Sequence, residues 1–154
     1  MEKLSIHNFV ILAGILSFFI FSSFKKHYKD PTFSLTVEVI NLRNNEGSVV
    51  FALYNQVDAF PDEHYKKYYK KIVGKIDNKK SSVTFEGLPA GKYAVNILHD
   101  EDNNGKIKKG FIFPKEGIGF SNYQSIGFTN RPNFLKASFE LKENKFILVK
   151  VIYM

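Results

Sequence analysis

The sequence predicts an all-β fold, an antiparallel β-sandwich of seven or eight strands preceded by an N-terminal hydrophobic helix. Three observations carry this expectation. After residue 24 apolar residues recur with period two in short runs. Turn-forming residues separate those runs about every ten positions, the spacing of sandwich strands. A length of 154 residues suits one ordinary domain and leaves no room for a second. The composition agrees, because 44% hydrophobic and 16% aromatic residues carry too much ring and aliphatic surface for a disordered chain. The absence of cysteine excludes a disulfide scaffold, a thiolate zinc site, an iron–sulfur cluster, a cysteine nucleophile and a cysteine-linked lipid anchor.

The N-terminal element is the apolar stretch Phe9 to Phe24. As a helix it would span roughly 24 Å, short of the roughly 30 Å hydrocarbon core but suited to the apolar centre of a signal sequence. Residues 1–24 therefore read as a signal sequence or a retained N-terminal membrane anchor, and 25–32 as a linker. Small residues at the usual cleavage spacing are missing, since Ile20 and Phe21 stand two before Ser22 and Ser23. Lys25, Lys26 and Lys29 follow the apolar run while only Lys3 precedes it, which the positive-inside rule counts against export. Export to the periplasm, envelope or exterior is nevertheless the expectation, with membrane attachment through this segment if it is not cut.

The body, 33–154, is where the strands lie. Phe33 to Val39 alternates apolar with polar, Ser48 to Tyr54 is apolar throughout, and Ser81 to Glu86 alternates again. Gly91 to Leu98, Ala137 to Lys142 and Lys145 to Tyr153 supply three more, and Tyr69 to Ile76 a seventh. Asn44–Gly47 reads as a hairpin connection between the first two strands, and Lys142–Asn144 as the turn between the last two. Val37, Phe51, Val95, Phe139 and Leu148 are the expected core positions. Only Ala59 to Lys70 could wind a helical turn.

The net charge is +7, and it belongs to the body, because residues 1–24 contribute one acid and one base. The lysines fall in short groups, His64–Lys71, Lys75–Lys80 and Lys106–Gly110. Tyr65, Tyr68 and Tyr69 interleave with the first group as a nucleic-acid groove would require. Arginine, the usual base reader, is scarce, at Arg43 and Arg131, so no nucleic-acid partner is expected. A solvated basic face near anionic surface polymers is the simpler reading.

The strand rhythm breaks in a long loop, 99–136, rich in glycine and far longer than an ordinary connection. It opens on His99-Asp100-Glu101-Asp102-Asn103-Asn104-Gly105-Lys106-Ile107. Oxygen-bearing side chains at alternate positions followed by a glycine are how a calcium loop folds around a hard cation. The pattern matches only the first half of an EF-hand. The ninth position is Lys108, the twelfth is Phe111 where a bidentate glutamate is required, and no helices flank the loop. Glu116 is placed to return and complete the shell. Asp100, Asp102, Asn104, Lys106 and Glu116 are thus the candidate ligands and calcium the candidate cofactor, against an Asx-rich turn that caps only its own backbone. Gly117 and Gly119 mark tight turns or close backbone approach. Phe111, Phe113, Phe120, Tyr123, Phe128 and Phe134 either pin the loop to the sandwich or form an exposed platform.

Three ordered segments, Gly87–Val95, His99–Lys106 and Phe113–Asn122, together resemble the uncharacterised bacterial family catalogued as domain of unknown function 2141, over roughly Leu35 to Tyr153. The leucine-proline-x-glycine-x-tyrosine turn within the first is similar to that of transthyretin-like and carboxypeptidase-regulatory-like sandwiches. The resemblance implies a small secreted or envelope-associated β-sandwich with no assigned reaction and no catalytic residues to carry over. Family members often have aspartate where this chain has Lys108.

Enzyme chemistry finds little purchase. Ser121 lacks a G-x-S-x-G elbow to act with His99 and Asp100. Asp100, Glu101 and Asp102 share one turn and are poorly placed to straddle a sugar with carboxyls at least about 5 Å apart. The expected function is a non-enzymatic binding or structural module of the envelope, acting as a monomer on a glycan or protein partner. His99, Phe120, Ser121 and Asn122 are its candidate ligand surface. The alternative is an envelope hydrolase of glycan or ester bonds using the His99–Asp102 cluster.

Overall fold

A computed structural model describes residues 30–107 and 114–154, which fall almost wholly in the unit Pro31–Met154. The expectations for Phe9–Phe24, Lys25, Lys26 and Lys29, and for Lys108, Phe111 and Phe113, lie outside the described residues. Among those described, no helix is long and apolar enough to cross a membrane.

The alternating segments form eight strands: β1 (Thr32–Ile40), β2 (Ser48–Tyr54), β3 (Lys70–Gly74), β4 (Ser81–Pro89), β5 (Gly91–Asp100), β6 (Gly117–Phe120), β7 (Phe139–Leu141) and β8 (Lys145–Lys150). They make a three-stranded sheet in the order β4-β1-β8 and a larger one in the order β3-β2-β5-β6, with β7 paired to the first residues of β5. Two features correct the expected topology. The fold is not wholly antiparallel, since β1 and β8 run parallel with Val37 opposite Ile147 and Val39 opposite Val149. Neither short connection is a hairpin: Asn44–Gly47 passes from β1 in one sheet to β2 in the other, and Lys142–Asn144 joins β7, beside β5, to β8, beside β1. The reason is burial. β1 alternates and can keep one wet face, whereas β2 is apolar on both faces and must lie between two layers.

Two cores follow. Between the sheets pack Leu35, Val37, Val39, Phe51, Phe85, Val95, Ile97 and Val149. On the other face of the larger sheet, Val50, Ala52, Tyr54, Ala94 and Leu98 are covered by Phe60, Tyr65, Tyr123 and Phe134. The covering segments carry a 3-10 turn at Val57–Ala59, which shares only Ala59 with the span expected to wind, and a short helix, α1 (Phe134–Ala137), that no periodicity announced. Asn133 caps α1, its side-chain oxygen accepting the Lys136 N–H at 3.0 Å.

The expected loop 99–136 is therefore not a single loop, because it contains β6 and most of α1. Gly117 and Gly119 are needed for close approach: a Cβ on Gly117 would sit 2.4 Å from Val151 Cγ1, and one on Gly119 would sit 2.7 Å from the Lys150 carbonyl oxygen. The chain after β8 crosses over β6 there, and Ile118 and Ile152 exchange both backbone hydrogen bonds. Of the expected core residues, Val37, Phe51 and Val95 are fully buried and Phe139 packs at the margin. Leu148 is a correction at 53% exposed, since the register with β1 turns Ile147 and Val149 inward. The run Phe146–Val149 is apolar at every position, so its pattern could not choose a face.

Candidate functional site

The acidic segment begins at the end of the central strand β5. Asp100 is 2% exposed, and its carboxylate closes the turn behind it: Oδ1 accepts the Asn104 N–H at 3.0 Å and Oδ2 the Gly105 N–H at 2.8 Å. Asp102 Oδ1 accepts the same Asn104 N–H at 3.3 Å, and Asn104 Oδ1 accepts the Lys106 N–H at 2.7 Å. Gly105 supplies a φ of +71° for the reversal. Because β6 pairs antiparallel with β5 and sets Gly117 opposite His99, the preceding residue, Glu116, arrives beside Asp100. Glu116 is 2% exposed and its Oε1 accepts the Glu101 N–H at 3.1 Å. One carboxylate oxygen from each of Asp100, Asp102 and Glu116 lies within 4.8 Å of the others. A carboxylate has about four lone-pair sites, so the two N–H bonds to Asp100 orient it and leave capacity for a cation.

Glu101 is withdrawn from this group. Its carboxylate receives Arg43 through Nε at 2.7 Å and through Nη2, and Asn44 Nδ2 at 2.7 Å. The Arg43 hydrogen bond, helped by Asn44, outweighs partial burial and holds the Glu101 carboxyl below its ordinary range. Arg43 also donates to the Lys115 carbonyl at 3.1 Å, tying the β1–β2 connection to the residue before Glu116. Behind the turn, Gly47 (φ +69°) lies so close that a Cβ would sit 1.9 Å from the Asp100 carbonyl oxygen. Ser48 Oγ donates to Asn103 Oδ1 at 2.8 Å.

His99 does not join the carboxylates. Alternation along β5 turns it to the other face, fully buried, with Nε2 3.0 Å from the Glu46 carbonyl oxygen and Nδ1 2.7 Å from the Tyr153 hydroxyl. A carbonyl only accepts, so Nε2 carries a proton. In the neutral ring Tyr153 then donates to Nδ1 while its oxygen accepts the Arg43 N–H at 3.1 Å. Every polar atom of the ring is used in holding the C-terminus to the β1–β2 connection.

The expected ligand surface is likewise interior except at Asn122, which is exposed. Phe120 and Ser121 are buried, and Ser121 Oγ donates to the Ala137 carbonyl at 2.8 Å while accepting the Val95 N–H at 2.9 Å. Asn122 takes a φ of +62°, and its amide donates to the Ser138 and Ala137 carbonyls at 3.0 and 3.2 Å. These residues fasten the segment after β6 to α1. Tyr123 and Phe134 are buried alongside Phe120 and Ser121, whereas Phe128 is 74% exposed.

Sequence reasoning missed a second buried polar group. Asp62, 7% exposed, accepts the Lys66 and Lys67 N–H groups on Oδ2, each at 2.6 Å, and the His64 N–H on Oδ1 at 3.0 Å. Burial would raise this carboxyl, but the three backbone donors prevail and lower its pKa. Its carbonyl accepts Asn96 Nδ2 at 3.3 Å, and Asn96 Oδ1 accepts the Tyr65 hydroxyl at 3.0 Å. Burial raises the pKa of both Tyr54 and Tyr65. The available signal was Pro61-Asp62, an Asx turn opening a lysine-rich segment.

Fold and geometry define a small two-sheet β-domain with a carboxylate-rich turn at the end of its central strand. The chain belongs to the family described as "Uncharacterized protein conserved in bacteria (DUF2141)", whose model matches residues 37–147, from within β1 to within β8. No curated protein and no solved structure matches it.

Proposed function

We propose that the chain is a non-enzymatic binding or structural module of the cell envelope, exported by its N-terminal segment, whose acidic turn takes up calcium weakly. The observation that supports this reading is the convergence of Asp100, Asp102 and Glu116 within 4.8 Å, on a turn already held by backbone hydrogen bonds. Calcium is a hard cation that collects six to eight oxygens at about 2.3–2.6 Å, and Asn104 and the main-chain carbonyl of Lys106 stand where a calcium loop supplies further ones. The fully buried, bonded His99 lends no support to hydrolysis by the His99–Asp102 cluster. Export rests on the Phe9–Phe24 run, and the partner is a glycan or protein of the envelope met by a monomer.

Without a bidentate glutamate in register and with Lys106 adjacent, affinity falls in the range of about 10⁻⁴ to 10⁻³ M. Calorimetric titration of the full-length chain with calcium tests this, with melting followed in parallel. At 100 times its dissociation constant, calcium adds about 2.7 kcal/mol of stability. Asp102→Asn abolishes that increment. An unchanged wild-type melt in millimolar calcium would leave the Asx turn as the whole account. A periplasm-active reporter fused after Tyr153 tests export separately, and activity confined to the cytoplasm would refute it.

A further inference from the structure

The Asp62 network has an outcome that the acidic turn does not explain. A buried carboxylate, a buried asparagine and a buried tyrosine with φ +51° are spent on fixing one short loop, and what that loop presents outward is Lys66, Lys67, Tyr68 and Tyr69. Tyr65 points inward to Asn96 while the main chain of both lysines is tied to Asp62. The display continues into β3. Ile72 and Ile76 pack against the inner core, so Lys71, Val73 and Lys75 alternate outward and all three are exposed. Lys71 Nζ lies 5.0 Å from the centroid of the Tyr68 ring, which puts loop and strand on one surface. From His64 to Ile76 there are five lysines and no acid. None of these lysines makes an ion pair among the described residues. Tyr68 and Tyr69 are 38% and 40% exposed, with Tyr69 steadied against Tyr93 at 6.0 Å between ring centroids.

We propose that this strip, Lys66, Lys67, Tyr68, Tyr69, Lys71 and Lys75, is a binding surface for an acidic polysaccharide. The charge complementarity is direct: separate lysines spread along an extended strand, with Lys71 and Lys75 roughly 13 Å apart, suit carboxylates repeated along a flexible polymer. The tyrosines select the class of polymer. The C–H face of a sugar ring is flat and apolar and lies against an exposed aromatic ring, while the phenol and sugar hydroxyls stay in water. Lysines on an edge strand also discourage edge-to-edge pairing, but that task explains neither the tyrosines nor Lys66 and Lys67, which precede the strand.

The test uses the full-length chain in EDTA, so that calcium at the acidic turn plays no part and the two readings fail independently. The probes are polygalacturonate, neutral dextran, polyglutamate, a single-stranded oligonucleotide and anionic phospholipid vesicles. Polygalacturonate is bound at 50 mM salt and dextran is not, and raising the salt to 500 mM weakens binding at least about tenfold. Lys66→Gln/Lys67→Gln/Lys71→Gln weakens it at least tenfold, and Tyr68→Ala severalfold with its salt dependence kept. Lys142→Gln and Lys150→Gln, outside the strip, change nothing, and circular dichroism of each variant checks that it is folded. No binding of polygalacturonate overturns the proposal. So does equal or tighter binding of polyglutamate, the oligonucleotide or the vesicles, or indifference to Tyr68→Ala, because each would reduce the strip to general attraction for anions or assign it to another partner.

Discussion

The loop after Asp62 and the turn after Asp100 rest on the same outer core and use the same device, yet they present opposite charge. In each, a buried aspartate accepts backbone N–H groups from the residues that follow it, His64, Lys66 and Lys67 in one case and Asn104 and Gly105 in the other. Tyr65 and Ile107 seat the two segments on one apolar layer. Among the described residues no second carboxylate is hydrogen-bonded to Asp62, and its loop carries lysines outward. Asp100 is joined by Asp102 and Glu116, and its turn gathers negative charge. A buried aspartate is thus first a backbone-organising group, and its neighbours decide whether the organised loop suits cations or anions.

The largest expected effect tests whether the two loops share a scaffold. Phe51→Ala empties the core under β2 and costs on the order of 3–5 kcal/mol, loosening both loops in a single transition, whereas Leu148→Ala stays within about 0.5 kcal/mol. Chemical denaturation followed by separate probes on each loop checks this, and two distinct transitions would show that the loops are held independently.

Calcium should separate the two aspartate devices. Asp62→Ala costs about 1.5–3 kcal/mol whether or not calcium is present, because hydrogen bonds to a charged group are lost. Asp102→Asn costs little in EDTA and forfeits the calcium increment when the ion is added. Acid sharpens the contrast. Asp62 has a folded pKa below its ordinary value near 3.8, so its contribution is complete above that value and disappears as the pH falls through the folded one. In Asp62→Asn that portion of the acid-induced loss is missing, which melts recorded from pH 6 downward will reveal.

Two glycines separate crowding from conformation. Gly119→Ala drives a methyl against the Lys150 main chain and costs about 1–3 kcal/mol, with the crossing over β6 disturbed. Gly105→Ala meets nothing within 4 Å and suffers only from its positive φ, about 1 kcal/mol, a cost that falls on the acidic turn alone. A small effect is expected at the ion pair flanking that turn. The Arg43 side chain is 47% exposed, so Arg43→Met costs under about 1 kcal/mol in stability. It nevertheless lets the Glu101 carboxyl titrate nearer its ordinary range, which carboxyl-resolved NMR titration measures.

Much of this was legible in the chain. The half-buried strands β1 and β4 were read from alternation, β2 from its apolar run, and the turn from Asp100 to Gly105 from the spacing of its oxygens and glycine. Glu116 was identified as the residue that returns. The register that brings it back, Gly117 opposite His99, was not legible, because β6 has four residues and no alternation to announce it. Leu148 was misplaced for a related reason: an uninterrupted apolar run contains no information about which side faces in. Asn44–Gly47 and Lys142–Asn144 do connect successive strands, but the hairpins expected there do not form, because such residues redirect a chain equally well within one sheet or between two.

By itself the sequence determined the class of fold, the positions of most strands and the carboxylates of the acidic turn, since periodicity, turn residues and the spacing of acidic side chains are local properties carried by a few neighbouring residues. The tertiary structure decided which faces were buried. It placed His99 and Ser121 inside, where every polar group must find a partner, and it set β8 parallel to β1. It also turned Tyr65 inward and Tyr68 outward within one lysine-rich segment. Those outcomes depend on contacts between residues far apart in the chain, where the penalty for burying an unmatched polar group and the gain from filling a core outweigh local preference.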